Sequence, residues 1–165
     1  MQPELKPFWD LAESLKSDIL ARVESRAEGS RRRAIRPGDW SPLQVVAHLV
    51  VTEKFVIGSG ENPTGRPANP VVIQVLCAAL RAGIPMPAPD VTDPGLTPET
   101  LGTLARRWDT LREVFHERLA SAAPDAPFGT HPYFGVVTMR QTVEMLAAHL
   151  TYHVKRFPAS VEPGL

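Results

Sequence analysis

Four stretches of this chain carry apolar residues at three- and four-residue intervals, and residues that start or stop helices bracket each one. That spacing gathers the apolar side chains on one face of an α-helix, and such a face has to be buried against another element. In the first stretch, 7–26, the stripe is Phe8, Leu11, Ala12, Leu15, Ile19 and Val23. Pro7 suits a first helical turn, where its missing N–H costs nothing, and Glu28-Gly29-Ser30 ends the helix. The second stretch opens with Ser41-Pro42-Leu43-Gln44, a capping box with proline at the first helical position, and Trp40 just before it can staple onto the first turn. Its body, 43–57, is apolar nearly all round, the pattern of a helix buried on more than one side. The third starts near Thr97-Pro98-Glu99 and carries Leu101, Leu104, Trp108, Leu111, Phe115 and Leu119 before Ala123-Pro124. The fourth opens with a second capping box, Thr138-Met139-Arg140-Gln141. Its stripe runs through Met139, Val143, Leu146, Ala147, Leu150, Val154 and Phe157 to Pro158.

Between the second and third stretches, prolines at 63, 67, 70, 85, 87, 89 and 94 exclude a continuous helix. Only 71–81 fits a short helix ended by Gly83, with a strand as the alternative for its β-branched start. Four long amphipathic helices without a convincing sheet predict an all-α four-helix bundle with a long crossover between helices 2 and 3. The shorter connections, 27–40 and 124–137, make 1–2 and 3–4 the expected antiparallel neighbours.

A length of 165 residues predicts one domain spanning 1–165, and 43% apolar residues are enough for a packed core. Lys plus Arg and Asp plus Glu are both 18, so the basic surplus of a nucleic-acid binder is missing. The cluster Arg26, Arg31, Arg32, Arg33 and Arg36 reads as a solvated loop, with attraction of an acidic substrate as the alternative. The single cysteine, Cys77, rules out an intrachain disulfide; within its apolar run it reads as a buried, inert thiol. No apolar run approaches the ~20 residues that span a bilayer, and residues 1–6 lack a signal-peptide core. A cytoplasmic protein without a membrane partner is expected.

Three histidines carry the chemistry. His149 and His153 are four residues apart, so they project from one helix face a turn apart. Taking Leu146 as zero, at ~100° per residue, the core stripe of that helix covers about 0° to +100°, with His153 near −20° and His149 near −60°. Both stand at the inward edge of the stripe. His48 lies in the middle of the second, nearly all-apolar helix. Neutral imidazole is the commonest metal ligand, and three protein ligands leave a coordination position open. The alternative is three core histidines satisfied by hydrogen bonds, which would need partners for all six ring nitrogens. No glutamate follows His149, so the zinc-protease motif with its built-in base is absent. Glu53, about 140° round the helix from His48, points elsewhere. Thr52, Thr142 and Tyr152 are candidates for handling protons near the site. His116 reads as rim or surface, and His131 as part of a turn at the bundle end.

Three segments, Trp40-Ser41-Pro42-Leu43-Gln44-Val45-Val46-Ala47-His48-Leu49, His131-Pro132-Tyr133-Phe134-Gly135 and His149-Leu150-Thr151-Tyr152-His153, resemble the DinB-like (YfiT-like) superfamily of four-helix bundles in order and spacing. The resemblance covers nearly the whole chain. It implies a divalent metal held by His48, His149 and His153, with zinc or nickel expected and iron or manganese also compatible. It also implies the long 2–3 crossover. Similar proteins include S-transferases and isomerases that use a low-molecular-weight thiol such as bacillithiol or mycothiol.

Two functions follow. In the first, the chain is a metal-dependent enzyme acting on a small molecule, by thiol transfer or by hydrolysis. The missing carboxylate base favours transfer. In the second, it is a non-catalytic, stress-related metal-binding bundle, with a homodimer through exposed apolar surface. That reading predicts a site closed by a fourth protein ligand, or one without a pocket.

Overall fold

The computed structural model describes residues 1–34, 36–60, 63–95 and 99–157. Its helices are α1 (Lys6–Glu24), α2 (Glu28–Arg31), α3 (Pro42–Ser59), α4 (Pro70–Ala82), α5 (Leu101–Ser121) and α6 (Met139–Arg156). A 3₁₀ turn (Asp90–Thr92) and two short strands, β1 (Pro127–His131) and β2 (Gly135–Thr138), complete the described elements. The four long helices α1, α3, α5 and α6 form the expected bundle. Both capping boxes are made in full: Ser41 and Gln44 exchange side-chain-to-backbone bonds at the start of α3, and Thr138 and Gln141 do so at α6. The short helix in the crossover is α4; Asn69 caps its start, and Gly83 ends it in the left-handed conformation at φ 80°. The expected cap at Thr97-Pro98 and the stop at Pro158 lie outside the described residues; among those described, Thr100 caps α5.

Cross-bundle contacts fix the helix directions. Gln44 reaches Gly95, Glu53 reaches Arg112, and the Ile57 carbonyl meets Arg118, so α3 and α5 run parallel. Glu4 meets Arg140 and Arg22 meets Phe157, so α1 and α6 run parallel. Glu13 and Lys16 bond to Arg112 and Asp109 in descending order, which sets α1 antiparallel to α5. The expected antiparallel directions for 1–2 and 3–4 therefore hold, but the tightest neighbours differ: α1 packs mainly on α6, and α3 on α5. α6 also packs extensively on α4, which spreads the crossover over its outer side.

The central core joins Ile19, Val46, Leu49, Leu104, Trp108 and Leu150 from all four long helices. A second cluster at the other end joins Leu5, Phe115, Phe128, Met139 and Val143. Leu11, part of the expected stripe of α1, is exposed. Cys77 packs under α4 with Ile73, Leu80 and Ala148, and burial pushes its thiol up to about 11, as an inert core residue requires.

The stretch 124–137, expected to be a loop, holds an antiparallel hairpin. Its register pairs Gly129 with Val137, Thr130 with Val136 and His131 with Gly135, with a bulge between Pro127 and Gly129. Phe128, at the bulge, points into the core. Pairing continues to the crossover, where Ala68 N–H donates to Val136 O at 2.7 Å and Val136 N–H donates to Arg66 O at 2.9 Å. With only two strands among the described residues, both at one end of the bundle, the fold remains all-α.

A buried ion cluster ties three of the helices. Arg112, only 3% exposed, donates through Nε and Nη2 to both oxygens of Glu53 at 2.6 and 2.7 Å, and through Nη1 to Glu13 at 2.7 Å. Its guanidinium lies 5.3 Å from the Trp9 ring and 5.8 Å from that of Trp108. Burial opposes the charge of Arg112, and the two carboxylates more than offset it. Arg112→Met would leave Glu53 buried without a partner, so urea unfolding should show a loss of about 3–5 kcal/mol. Adding Glu53→Leu should recover much of that loss. A single variant as stable as the wild type would contradict this role for the cluster.

Candidate metal centre

The apolar residues that α3 and α6 bury in the core set which face of each helix turns inward, and with it the direction of the three histidines. His48 is 3% exposed and His153 6%; the accessible surface of His149 opens into a cavity. The Nε2 of His149 lies 3.2 Å from Nε2 of His48 and 3.0 Å from Nε2 of His153. The Trp40 ring, expected as a staple, covers His48 at 4.7 Å between centroids.

The Nδ1–H of His48 donates to the Thr92 carbonyl at 2.7 Å, because a carbonyl can only accept. In a neutral ring this leaves Nε2 with a lone pair facing its two neighbours. His149 has one proton at most for two contacts while it stays neutral, so hydrogen bonds among neutral rings cannot satisfy all three nitrogens. Extra protons are disfavoured as well. Burial pushes His149 down to about 3, helped by His48 and His131. It also lowers His48, and it holds His153 well below its ordinary value, with His149, His48 and Arg156 adding to the effect.

Three lone pairs converging where protons are unwelcome suit a divalent cation. An ion about 2.1 Å from each nitrogen sets neighbouring nitrogens about 3.0 Å apart at right angles and about 3.4 Å apart in a tetrahedron. The observed 3.0 and 3.2 Å fall in that range. The group could therefore hold a metal ion, and the Thr92 carbonyl is the kind of outer partner that fixes a ligand's tautomer.

The cavity above the histidines has a volume of about 660 Å³, within the usual range of small-molecule sites. Its wall is mostly apolar, with Phe55, Leu76, Leu80, Met86, Phe134, Val137 and Met145; Arg36, Asp39, Lys155 and Arg156 also line it. Glu53 reaches this wall, which its position on the helix did not suggest, but both of its oxygens are held by Arg112. Thr52 and Thr142 donate their hydroxyls to the carbonyls of His48 and Thr138, each at 2.8 Å. Tyr152 remains in the wall, edge-on to His153 at 5.0 Å. His116 is exposed on α5, as expected. His131 departs from expectation: it ends β1 and lines the same cavity, where burial pushes it down to about 4. The arginine loop mostly caps carbonyls, with Arg31 on Arg26 and Glu24, and Arg33 on Gly29.

These depressed histidines give stability a definite pH dependence. The fold keeps them neutral, whereas the unfolded chain takes up protons near pH ~6.5. Their stability contribution is complete above that value and declines as pH falls toward about 4 for His131 and about 3 for His149. For chelator-treated protein, the melting temperature should hold from pH 8 to 7 and fall steadily from about 6.5 to 5. A melting temperature that rises over that acidic interval would contradict the neutral, buried assignment.

The comparisons with known proteins agree with this architecture. A solved structure described as "TT2238, a four-helix bundle protein" superposes with a TM-score of 0.57 at 20% identity, covering 92% of this chain and 96% of that one. At that identity it shows the fold alone. Among curated proteins, none matches the chain. The sequence pattern of the DinB superfamily matches residues 11–155, and with nearly the whole chain matched, the protein belongs to the DinB superfamily.

Proposed function

We propose that His48, His149 and His153 hold one divalent first-row ion, and that the protein is a thiol-dependent S-transferase or isomerase acting on a small molecule. The observation that carries this reading is the convergence of three Nε2 atoms beneath an open, mostly apolar cavity. Among the described residues no other His, Cys, Asp or Glu joins the group, so the ligand set is three. When bound, the metal supplies a Lewis acid that favours thiolate over thiol. Zinc and nickel both accept three imidazoles. The chain's own part is to fix His48 through the Thr92 carbonyl and the Trp40 ring, and to keep bulk water from the reacting groups with the apolar wall.

Hydrolysis is the weaker enzymatic reading. It calls for a base beside the metal; of the two carboxylates lining the cavity, Glu53 is bound at both oxygens by Arg112, and Asp39 faces Arg156 at 3.9 Å. The non-catalytic reading predicts a closed site or one without a pocket, and the cavity over the three histidines speaks against it.

His153→Ala should lower bound zinc from about one equivalent per chain to about a tenth, measured after dialysis, with helical circular dichroism retained because the helix stripes supply the core. His116→Ala should keep its zinc. The zinc-loaded protein should consume a low-molecular-weight thiol in the presence of an aryl halide or epoxide faster than stripped protein does. Zinc retained in full by His153→Ala would sink the ligand assignment. Equal thiol consumption with and without metal, across a panel of thiols, would sink the transferase reading.

A further inference from the structure

The hairpin tip His131-Pro132-Tyr133-Phe134-Gly135 has no part in ligating the metal, yet it is built with close tolerance. Gly135 has φ 86°, and a Cβ there would lie 2.1 Å from the Arg66 carbonyl oxygen, so the tip is pressed against the crossover in a way only glycine permits. The His131 ring stacks on Phe134 with centroids 4.5 Å apart and planes at 27°. The backbone N–H of Tyr133 donates to Nδ1 of His131 at 3.2 Å. These contacts fix the ring's place and its tautomer. A backbone N–H can only donate, so Nδ1 accepts, and the single proton of the neutral ring sits on Nε2.

Among the described residues, Nε2 of His131 has no hydrogen-bond partner, and the ring lines the cavity beside Phe134, Val137 and Met145. Of the other polar groups in the wall, Glu53 is committed to Arg112, and Thr52 and Thr142 to helix carbonyls. A fixed, neutral N–H in such a wall is left to be satisfied by water or by an acceptor on the molecule that enters. A neutral donor suits an uncharged carbonyl oxygen, because it orients the group without demanding a counter-charge.

We propose that His131 is a substrate-binding residue whose Nε2–H donates to a carbonyl oxygen, and that the cavity takes an apolar compound bearing one such carbonyl. The inference rests on reading the cavity as the reaction chamber of the metal centre. It assigns the metal to three histidines and the orientation of the electrophile to the fourth.

The test compares two near-isosteric probes, acetophenone and α-methylstyrene, which differ in a C=O against a C=CH₂. Their affinities are measured by protein-detected NMR titration on the full chain, both zinc-loaded and chelator-stripped. The ratio of ketone to alkene affinity should fall about tenfold in His131→Phe, the effect of one hydrogen bond, in both metal states. Phenylalanine keeps the stacking on Phe134 but deprives Tyr133 N–H of its acceptor, so a second readout uses the wild type. A long-range ¹H–¹⁵N spectrum should show His131 as the Nε2–H tautomer, its resonance moving with ketone and not with alkene. An unchanged ratio, an Nδ1–H tautomer, or no ketone binding to the wild type would overturn the proposal. Zinc content is measured on the same samples. A chain that holds no zinc but shows the ratio change sinks the metal reading alone; one that holds zinc without the ratio change sinks this proposal alone.

Discussion

Much of this molecule depends on one constraint: α3 and α5 run parallel. Two parallel helices cannot be joined by a short turn, so the chain has to travel back along the bundle between them. At ~1.5 Å per residue, an 18-residue helix such as α3 is about 27 Å long. The return path carries α4, which packs over α6, and the 3₁₀ turn, which delivers the Thr92 carbonyl to His48. It also carries Met86, Pro87 and Pro89, part of the cavity wall. The crossover looks irregular in sequence because it follows the outside of a bundle and closes a site. The Glu13–Arg112–Glu53 cluster holds α1, α3 and α5 in the register that this topology requires.

At the site, the decisive physics is proton bookkeeping in a poorly solvated pocket. His48 gives its only neutral-state proton to Thr92, and burial depresses the basicity of its two neighbours. Three nitrogens then share too few protons for the contacts they make. A divalent ion would remove that conflict, because each lone pair would become a ligand where an added proton is disfavoured. A hydrogen-bonded core would arrange its histidines differently, each ring turned toward a complementary donor or acceptor.

The elements legible in sequence were those fixed by local chemistry. Both capping boxes, the stripes of α5 and α6, the left-handed stop at Gly83 and the inward sector of His149 and His153 follow from residues a turn or two apart. What escaped was set by contacts distant in the chain. Glu53 and Arg112 are 59 positions apart, and no local pattern pairs them. The partner of His48 is a main-chain carbonyl, which leaves no residue signature. The hairpin was readable only faintly. Its strands have five and four residues, and the β-branched run Val136-Val137-Thr138 merges into the cap of α6. Missing it placed His131 in a turn at the bundle end, when the strand pairing turns its ring to the cavity.

X-ray absorption at the metal edge of zinc-loaded wild-type protein tests the central claim most directly. The account predicts one tightly held zinc per chain with three imidazole nitrogens at about 2.0–2.1 Å and the rest of the shell supplied from outside the protein. Addition of a low-molecular-weight thiol should bring in one sulfur at about 2.3 Å. A shell with fewer than three imidazoles, a protein carboxylate completing it, or no zinc retained after dialysis at neutral pH would contradict it.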